Sequence, residues 1–241
     1  MASEQYGYKL AEILECKYYQ YDIQRQILST KSTDVRNNII DRFNEVLPYF
    51  QPYLQTKITL YGAESCGKTT TSKYLTNHLL EGYYLPEWAR PYLESLSNPL
   101  VTEELMDDIT EGQMALQMHS NYSLTDKPFI VQDTDLLSTI GYYKIMGLEV
   151  PQKIIDYFKQ SKSDIYFLMA SNIPFEPDPL RYGGEVRESD DDFWIRLLNE
   201  YECNYYIVNQ DSLEARAEYI KDKTYRYVDD KFSNIKDFVR D

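Results

Sequence analysis

Between residues 62 and 69 the chain reads Gly-Ala-Glu-Ser-Cys-Gly-Lys-Thr, and these residue types at this spacing hold a phosphate chain. Glycines let the backbone curl until successive N–H groups converge on phosphate oxygens, at the positive end of a following helix. A lysine placed here reaches β- and γ-phosphates, and the hydroxyl after it can ligate magnesium. The expected ATP cradle is therefore Gly62, Ala63, Glu64, Ser65, Cys66, Gly67, Lys68, Thr69 and Thr70, with Lys68 catalytic and Thr69 on the metal. Farther on, Phe-Ile-Val-Gln-Asp-Thr-Asp (129–135) has the Walker B arrangement, an apolar strand closing on carboxylates beside the magnesium. Asp133 is its expected metal ligand, although Asp133 and Asp135 are equally placed to cap a helix starting at Leu136. Glu87 and Arg90 follow a short apolar run, where the carboxyl end of a parallel strand faces a ligand crevice. Glu87 or Asp135 can orient an acceptor hydroxyl and take its proton. Arg181 and Arg187 lie in a stretch rich in proline, glycine and charge (171–191) that reads as a lid whose arginines steady a transferring phosphoryl group. The plain alternative for that stretch is a solvated loop.

The elements that must position these residues follow from the apolar pattern. Strands are expected at 58–61, 82–85, 129–131, 164–169 and 204–208. Helices are expected at 8–18, 33–46, about 68–80, 102–121, 135–145, 152–160 and 193–200, with one more containing Arg216. Strands alternating with helices behind a phosphate loop imply a three-layer α/β/α sandwich on a five-stranded parallel sheet. The chain divides into a helical N-terminal extension (1–55), a P-loop domain (56–222) with its lid (171–191), and a C-terminal tail (223–241). Thr33 is a candidate cap in the extension, which Pro48 and Pro52 end, and Val228, Phe232, Ile235 and Phe238 give the tail one amphipathic helical face.

Composition narrows the functions. A chain of 241 residues suits one domain with an appendage. A net charge of −14 without a basic stripe excludes a nucleic-acid surface. The N-terminus lacks the basic and apolar regions of a signal peptide, and no apolar run has membrane-spanning length, so a soluble cytoplasmic protein is expected. Cys16, Cys66 and Cys203 lie far apart, which fits a reducing compartment. The 24 tyrosines are spread evenly, as core filling rather than a binding code. His78 and His119 sit 41 residues apart on expected helices and form no catalytic pair.

The ordered blocks GAESCGKTT, LPEWARPYLE, DDITEGQMALQ, FIVQDTDLLST and DPLR, spanning about residues 50–222, resemble the ribosylnicotinamide kinase domain of NadR-type proteins. Upstream, YDIQRQILSTKSTDVRNN resembles the segment ending the nicotinamide mononucleotide adenylyltransferase domain of bifunctional members. Thr33 and Arg36 match its Ser-x-Thr-x-x-Arg signature, Lys31 replaces the serine, and the His-x-Gly-His site is absent. The resemblance implies the kinase-like strand order 2-3-1-4-5 and phosphorylation by ATP and magnesium of the 5′-hydroxyl of nicotinamide riboside, a small-molecule substrate. Arg90 and Gln113 match positions of that family and are expected to line the acceptor side, where Glu87, Trp88 and Asp135 are further candidate contacts. The Trp88 face suits a cationic pyridinium ring, or else packs under the sheet. Two other readings stay open: a P-loop kinase for another nucleoside or nucleotide, and an ATP-binding regulatory module without turnover.

Overall fold

The structure, a computed structural model, describes residues 7–21, 24, 26, 30–96, 102–176 and 190–237. Five apolar segments, β1 (Thr56–Tyr61), β2 (Gly82–Leu85), β3 (Phe129–Asp133), β4 (Ile165–Met169) and β5 (Tyr205–Val208), form one parallel sheet in the order β2-β3-β1-β4-β5. This is the expected topology. Its register aligns Leu60 with both Asp133 and Phe167, so the ends of β1, β3 and β4 finish together at one edge.

Ahead of β1, among the described residues, come the short α-helices α1 (Gly7–Ile13), α2 (Ser32–Asn37) and α3 (Gln51–Leu54). The crossovers and the C-terminal region supply α4 (Lys68–Tyr74), α5 (Ala89–Ser95), α6 (Glu103–Ser123), α7 (Leu136–Ile145), α8 (Gln152–Ser161), α9 (Asp191–Glu200) and α10 (Leu213–Asp237). Because side chains alternate across a strand, Ile58, Leu60, Ile165, Phe167 and Met169 pack on one face with Ala217, Ile220, Val228 and Phe232 of α10. Tyr61, Tyr166 and Leu168 point to the other face, against α7, α8 and α9 through Ile140, Phe158 and Trp194. Both faces of β3 and β4 are covered, which is why those strands are buried along their whole length, whereas the edge strand β5 leaves Ile207 exposed.

Some local expectations change. The helix expected over 33–46 is α2 followed by a 3₁₀ turn at Phe43–Glu45, with Asn38 between them at φ −147°. Asparagine competes with helix by local side-chain bonding, and Asn38 Nδ2 donates to Asp41 Oδ2 at 2.7 Å. Thr33 lies inside α2, whose cap position is Lys31 with no side-chain cap bond. The N-terminal extension also contributes to the core: Ile39 joins the α10 face, and Phe43 is fully buried. Helix α5 has no counterpart among the expected elements; Pro91 sits in its first turn, where a missing N–H is harmless. The helix after the phosphate loop passes into a π-turn at Leu75–Leu79. Helix α10 runs unbroken through residue 223, the expected start of the tail. Phe238 lies outside the described residues.

Candidate active site

At the carboxyl edge of the sheet, a cavity of about 350 Å³ opens between the loops after β1, β2, β3 and β4. Gly62, Glu64, Ser65, Cys66, Gly67, Lys68, Thr69 and Thr70 line it on one side, and Glu87, Ala89, Arg90 and Leu93 on another. Thr134, Ser138, Tyr142, Ile173, Pro174 and Glu176 complete the wall. The size is that of a ligand site, and a parallel sheet places such sites at this edge.

The phosphate loop owes its shape to Gly62 at φ 128° and Gly67 at φ 86°, conformations that side chains resist. A Cβ at Gly62 would also stand 3.0 Å from the Met169 carbonyl oxygen. From this loop α4 begins at Lys68, its N–H groups directed toward the cavity end as the loop pattern requires. Lys68 Nζ donates to the carbonyls of Gly62 at 2.9 Å and Ala63 at 2.6 Å, so the ammonium is held by its own loop. Ala63 itself is buried and does not line the cavity, and its carbonyl accepts from both Lys68 and Cys66.

The carboxylates separate into different roles. Glu64 is nearly buried in the cavity wall and accepts a hydrogen bond from the Tyr142 hydroxyl at 2.9 Å. Burial, then the charges of Glu64 and Glu87, push the Tyr142 hydroxyl far above its ordinary pKa, so it remains a donor. Asp133 is buried at the end of β3, where its Oδ2 accepts from the Tyr84 hydroxyl at 3.3 Å. Its Oδ1 is buried without a hydrogen-bond partner. Asp133 itself does not line the cavity, whereas the exposed Thr69 does; an orphaned carboxylate oxygen at the end of β3, in register with the last residues of the strand that feeds the phosphate loop, fits a cation site.

Asp135 does not reach the cavity. Its Oδ1 accepts from Leu137 N at 3.0 Å as the cap of α7, and its Oδ2 accepts from the Tyr166 hydroxyl at 2.5 Å. Burial raises its pKa to about 6, against the lowering effect of those hydrogen bonds. The helix-cap role open in the sequence is the one it takes, and the acceptor base or contact expected of it is not supported by this placement.

On the acceptor side, Arg90 lines the cavity and pairs with Glu94 at 3.6 Å. Trp88 remains partly exposed, stacked beside Tyr92 with ring centroids 6.3 Å apart and planes at 16°. Its indole lies on Gly112 of α6, where a Cβ would come within 1.8 Å of Nε1. Its backbone N–H donates to Gln113 Oε1 at 2.9 Å, while Gln113 Nε2 is buried without a partner. Trp88 and Gln113 thus form a layer beside the cavity rather than its lining. Arg181 and Arg187 lie outside the described residues.

Several site residues had no sequence signal. Tyr84, Tyr142 and Ser138 are ordinary members of apolar elements until the fold brings Tyr142 and Ser138 into the cavity wall and the Tyr84 hydroxyl onto Asp133. Ser65 Oγ accepts from Glu176 N at 2.9 Å, tying the loop after β4 to the phosphate loop. Arg216, in sequence only a helix residue, donates to Cys66 O at 3.0 Å.

Among the described residues no helix is long and apolar enough to cross a membrane, and no His, Cys, Asp and Glu group assembles a metal cluster. Comparison with curated proteins gave no match. Among solved structures the fold is similar to a NadR protein in complex with NR, at a TM-score of 0.69 and 18% identity, covering 92% of this chain and 65% of that one. It is also similar to a NadR protein in complex with NAD and AMP-PNP, at 0.66 and 19% identity, over 88% of this chain and 60% of that one. The chain therefore spans less than two thirds of the length of these NadR structures. A thymidylate kinase from Ehrlichia chaffeensis aligns at 0.51 and 18% identity, over 69% of this chain and 97% of that one. These likenesses show a P-loop kinase fold, the one that the sequence blocks resemble. An AAA domain model matches residues 57–216, well over half of the sequence, and the chain belongs to that family.

Proposed function

We propose that the protein is an ATP-dependent kinase that phosphorylates the 5′-hydroxyl of nicotinamide riboside, giving nicotinamide mononucleotide. The observation that carries this reading is one cavity joining the phosphate loop to Glu87 and Arg90, with the partly exposed Trp88 next in sequence to Glu87. Its lining sets three carboxylates, Glu64, Glu87 and Glu176, against two cations, Lys68 and Arg90, a balance that suits a cationic acceptor. The likeness in fold to NadR supports the same acceptor.

Phosphoryl transfer depends on positioning and charge neutralisation. Lys68 is placed to exchange its two loop carbonyls for β- and γ-phosphate oxygens, and the loop amides hold the chain in line. Thr69 and Asp133 would hold magnesium, which when bound neutralises charge on the β- and γ-oxygens. Glu87 orients the acceptor hydroxyl and takes its proton as the oxygen attacks the γ-phosphorus and ADP departs. Arg181 and Arg187 are proposed to steady the transferring group. Trp88 offers its face to the pyridinium ring, with Gln113 holding the backbone of that residue.

Mass analysis of the product tests the reading: incubation with magnesium-ATP and nicotinamide riboside is expected to yield the 5′-monophosphate. Phosphorylation of a pyrimidine nucleotide in its place would assign the fold to another acceptor. ATP binding with no phosphorylated product from any acceptor would favour a regulatory module.

A further inference from the structure

Arg216 stands in an unusual electrical position. It is 3% exposed, and its guanidinium donates to three neutral acceptors: Cys66 O at 3.0 Å, Gln210 O at 2.7 Å and Asn172 Oδ1. No described carboxylate pairs with it. A buried positive charge without an anion is costly, and proteins keep one where a ligand supplies the missing charge. Here the nearest ligand space is the phosphate loop: a Cβ on Gly67 would lie 3.5 Å from Arg216 Nη1. The carbonyl of Cys66 faces the guanidinium, while Gly67 and Lys68 start the helix whose N–H groups serve the phosphates.

We propose that Arg216 is a second cation of the phosphate site, acting from behind the loop: it complements the nucleotide's phosphates through the loop backbone and fixes the wall after β4 against it. The inference rests on reading the loop as a nucleotide-phosphate site. It differs from that reading in naming a residue that touches no phosphate, a positioning residue whose charge is balanced only when the polyanion is bound. The Asn172 bond extends the effect, since Ile173, Pro174 and Glu176 on the same segment line the cavity.

Charge and hydrogen bonding separate in a pair of variants. Arg216→Lys keeps the charge and Arg216→Gln removes it, and both lose the planar fork whose three nitrogens reach Gln210, Cys66 and Asn172 separately. Calorimetric binding of magnesium-ATP is expected to stay within about threefold of wild type for Arg216→Lys and to weaken roughly tenfold or more for Arg216→Gln. The loss is expected to be smaller for AMP, which brings less charge, and the two variants are expected to melt at similar temperatures without ligand. Equal ATP affinity for the two variants, or wild-type affinity in Arg216→Gln, overturns the proposal. If Arg216→Gln does not fold, Arg216→Lys decides alone, near-wild-type affinity supporting the proposal and a tenfold loss overturning it. Failure of the wild-type protein itself to bind ATP would overturn the phosphate-site reading and this inference with it. Wild-type binding that is lost in Lys68→Ala upholds the phosphate site, and the Arg216 pair then decides this inference separately.

Discussion

Gly112→Ala tests the acceptor wall with one methyl group. Glycine inside α6 costs about 0.5–1 kcal/mol relative to alanine, so local helix preference alone makes the variant more stable. The added Cβ, however, would stand 1.8 Å from Trp88 Nε1 and 2.3 Å from its Cδ1 and Cε2, and no small adjustment of α6 relieves that. The indole has to leave. A partly exposed ring that gives up one packed face loses about 1 kcal/mol, which nearly offsets the helix gain. Net stability should therefore change by less than about 1 kcal/mol, a shift in Tm of at most about 4 °C for a chain of this size. Binding is where the change is expected to appear. A cation held over a tryptophan face contributes about 1–2 kcal/mol, so KM for nicotinamide riboside should rise about tenfold while KM for ATP stays put. Fluorescence gives the structural readout, because the chain has 2 tryptophans and Trp194 is fully buried. A red shift in emission would report Trp88 alone. An indole shown to have moved with no change in acceptor KM would refute the stacking role, and unchanged emission would refute the contact itself.

Lys68→Ala is expected to abolish turnover with the fold intact, because its protein partners are the loop's own carbonyls; circular dichroism and ADP release check both halves. For Glu87→Gln the expected loss in kcat is roughly 100-fold or more, and a change confined to KM would take the base role from Glu87. Asp135→Asn addresses stability. The folded carboxyl, raised by burial to about 6, holds its proton more tightly than an unfolded one at 3.8. Its contribution to stability therefore falls as pH rises between those values and stays lost above them. Melting curves should show Asp135→Asn gaining on the wild type from about pH 4 to about pH 7, with activity retained. A constant difference across that range would contradict the assignment.

How much of this was legible in the sequence varies with the physics of each residue. The phosphate loop announces itself because its chemistry needs glycines and a lysine at fixed spacing. The strands do so because the central ones, covered on both faces, carry short apolar runs such as 129–131 and 165–169. Asp133 and Asp135 are not separable by spacing, since an aspartate past a strand serves equally as a metal ligand or a helix cap. Only the hydrogen bonds to Leu137 and Tyr166 and the orphaned Oδ1 of Asp133 divide the roles. Helix α5 stays hidden because Pro91 reads as a breaker until its place in the first turn is known. Residues 1–55 read as an appendage because they are polar, yet Ile39 and Phe43 are buried. Arg216 has no signal, since its significance lies in what it lacks, a carboxylate partner among the described residues, and a sequence does not record pairing.

The most direct test of the central claim is ADP release from magnesium-ATP measured against nicotinamide riboside, cytidine, uridine, deoxynucleosides and thymidine monophosphate in parallel. The cavity and its carboxylates predict release that depends on an acceptor and is fastest with nicotinamide riboside. Release at the same rate with every acceptor and with none would contradict the kinase reading, and a clear preference for another acceptor would contradict the substrate.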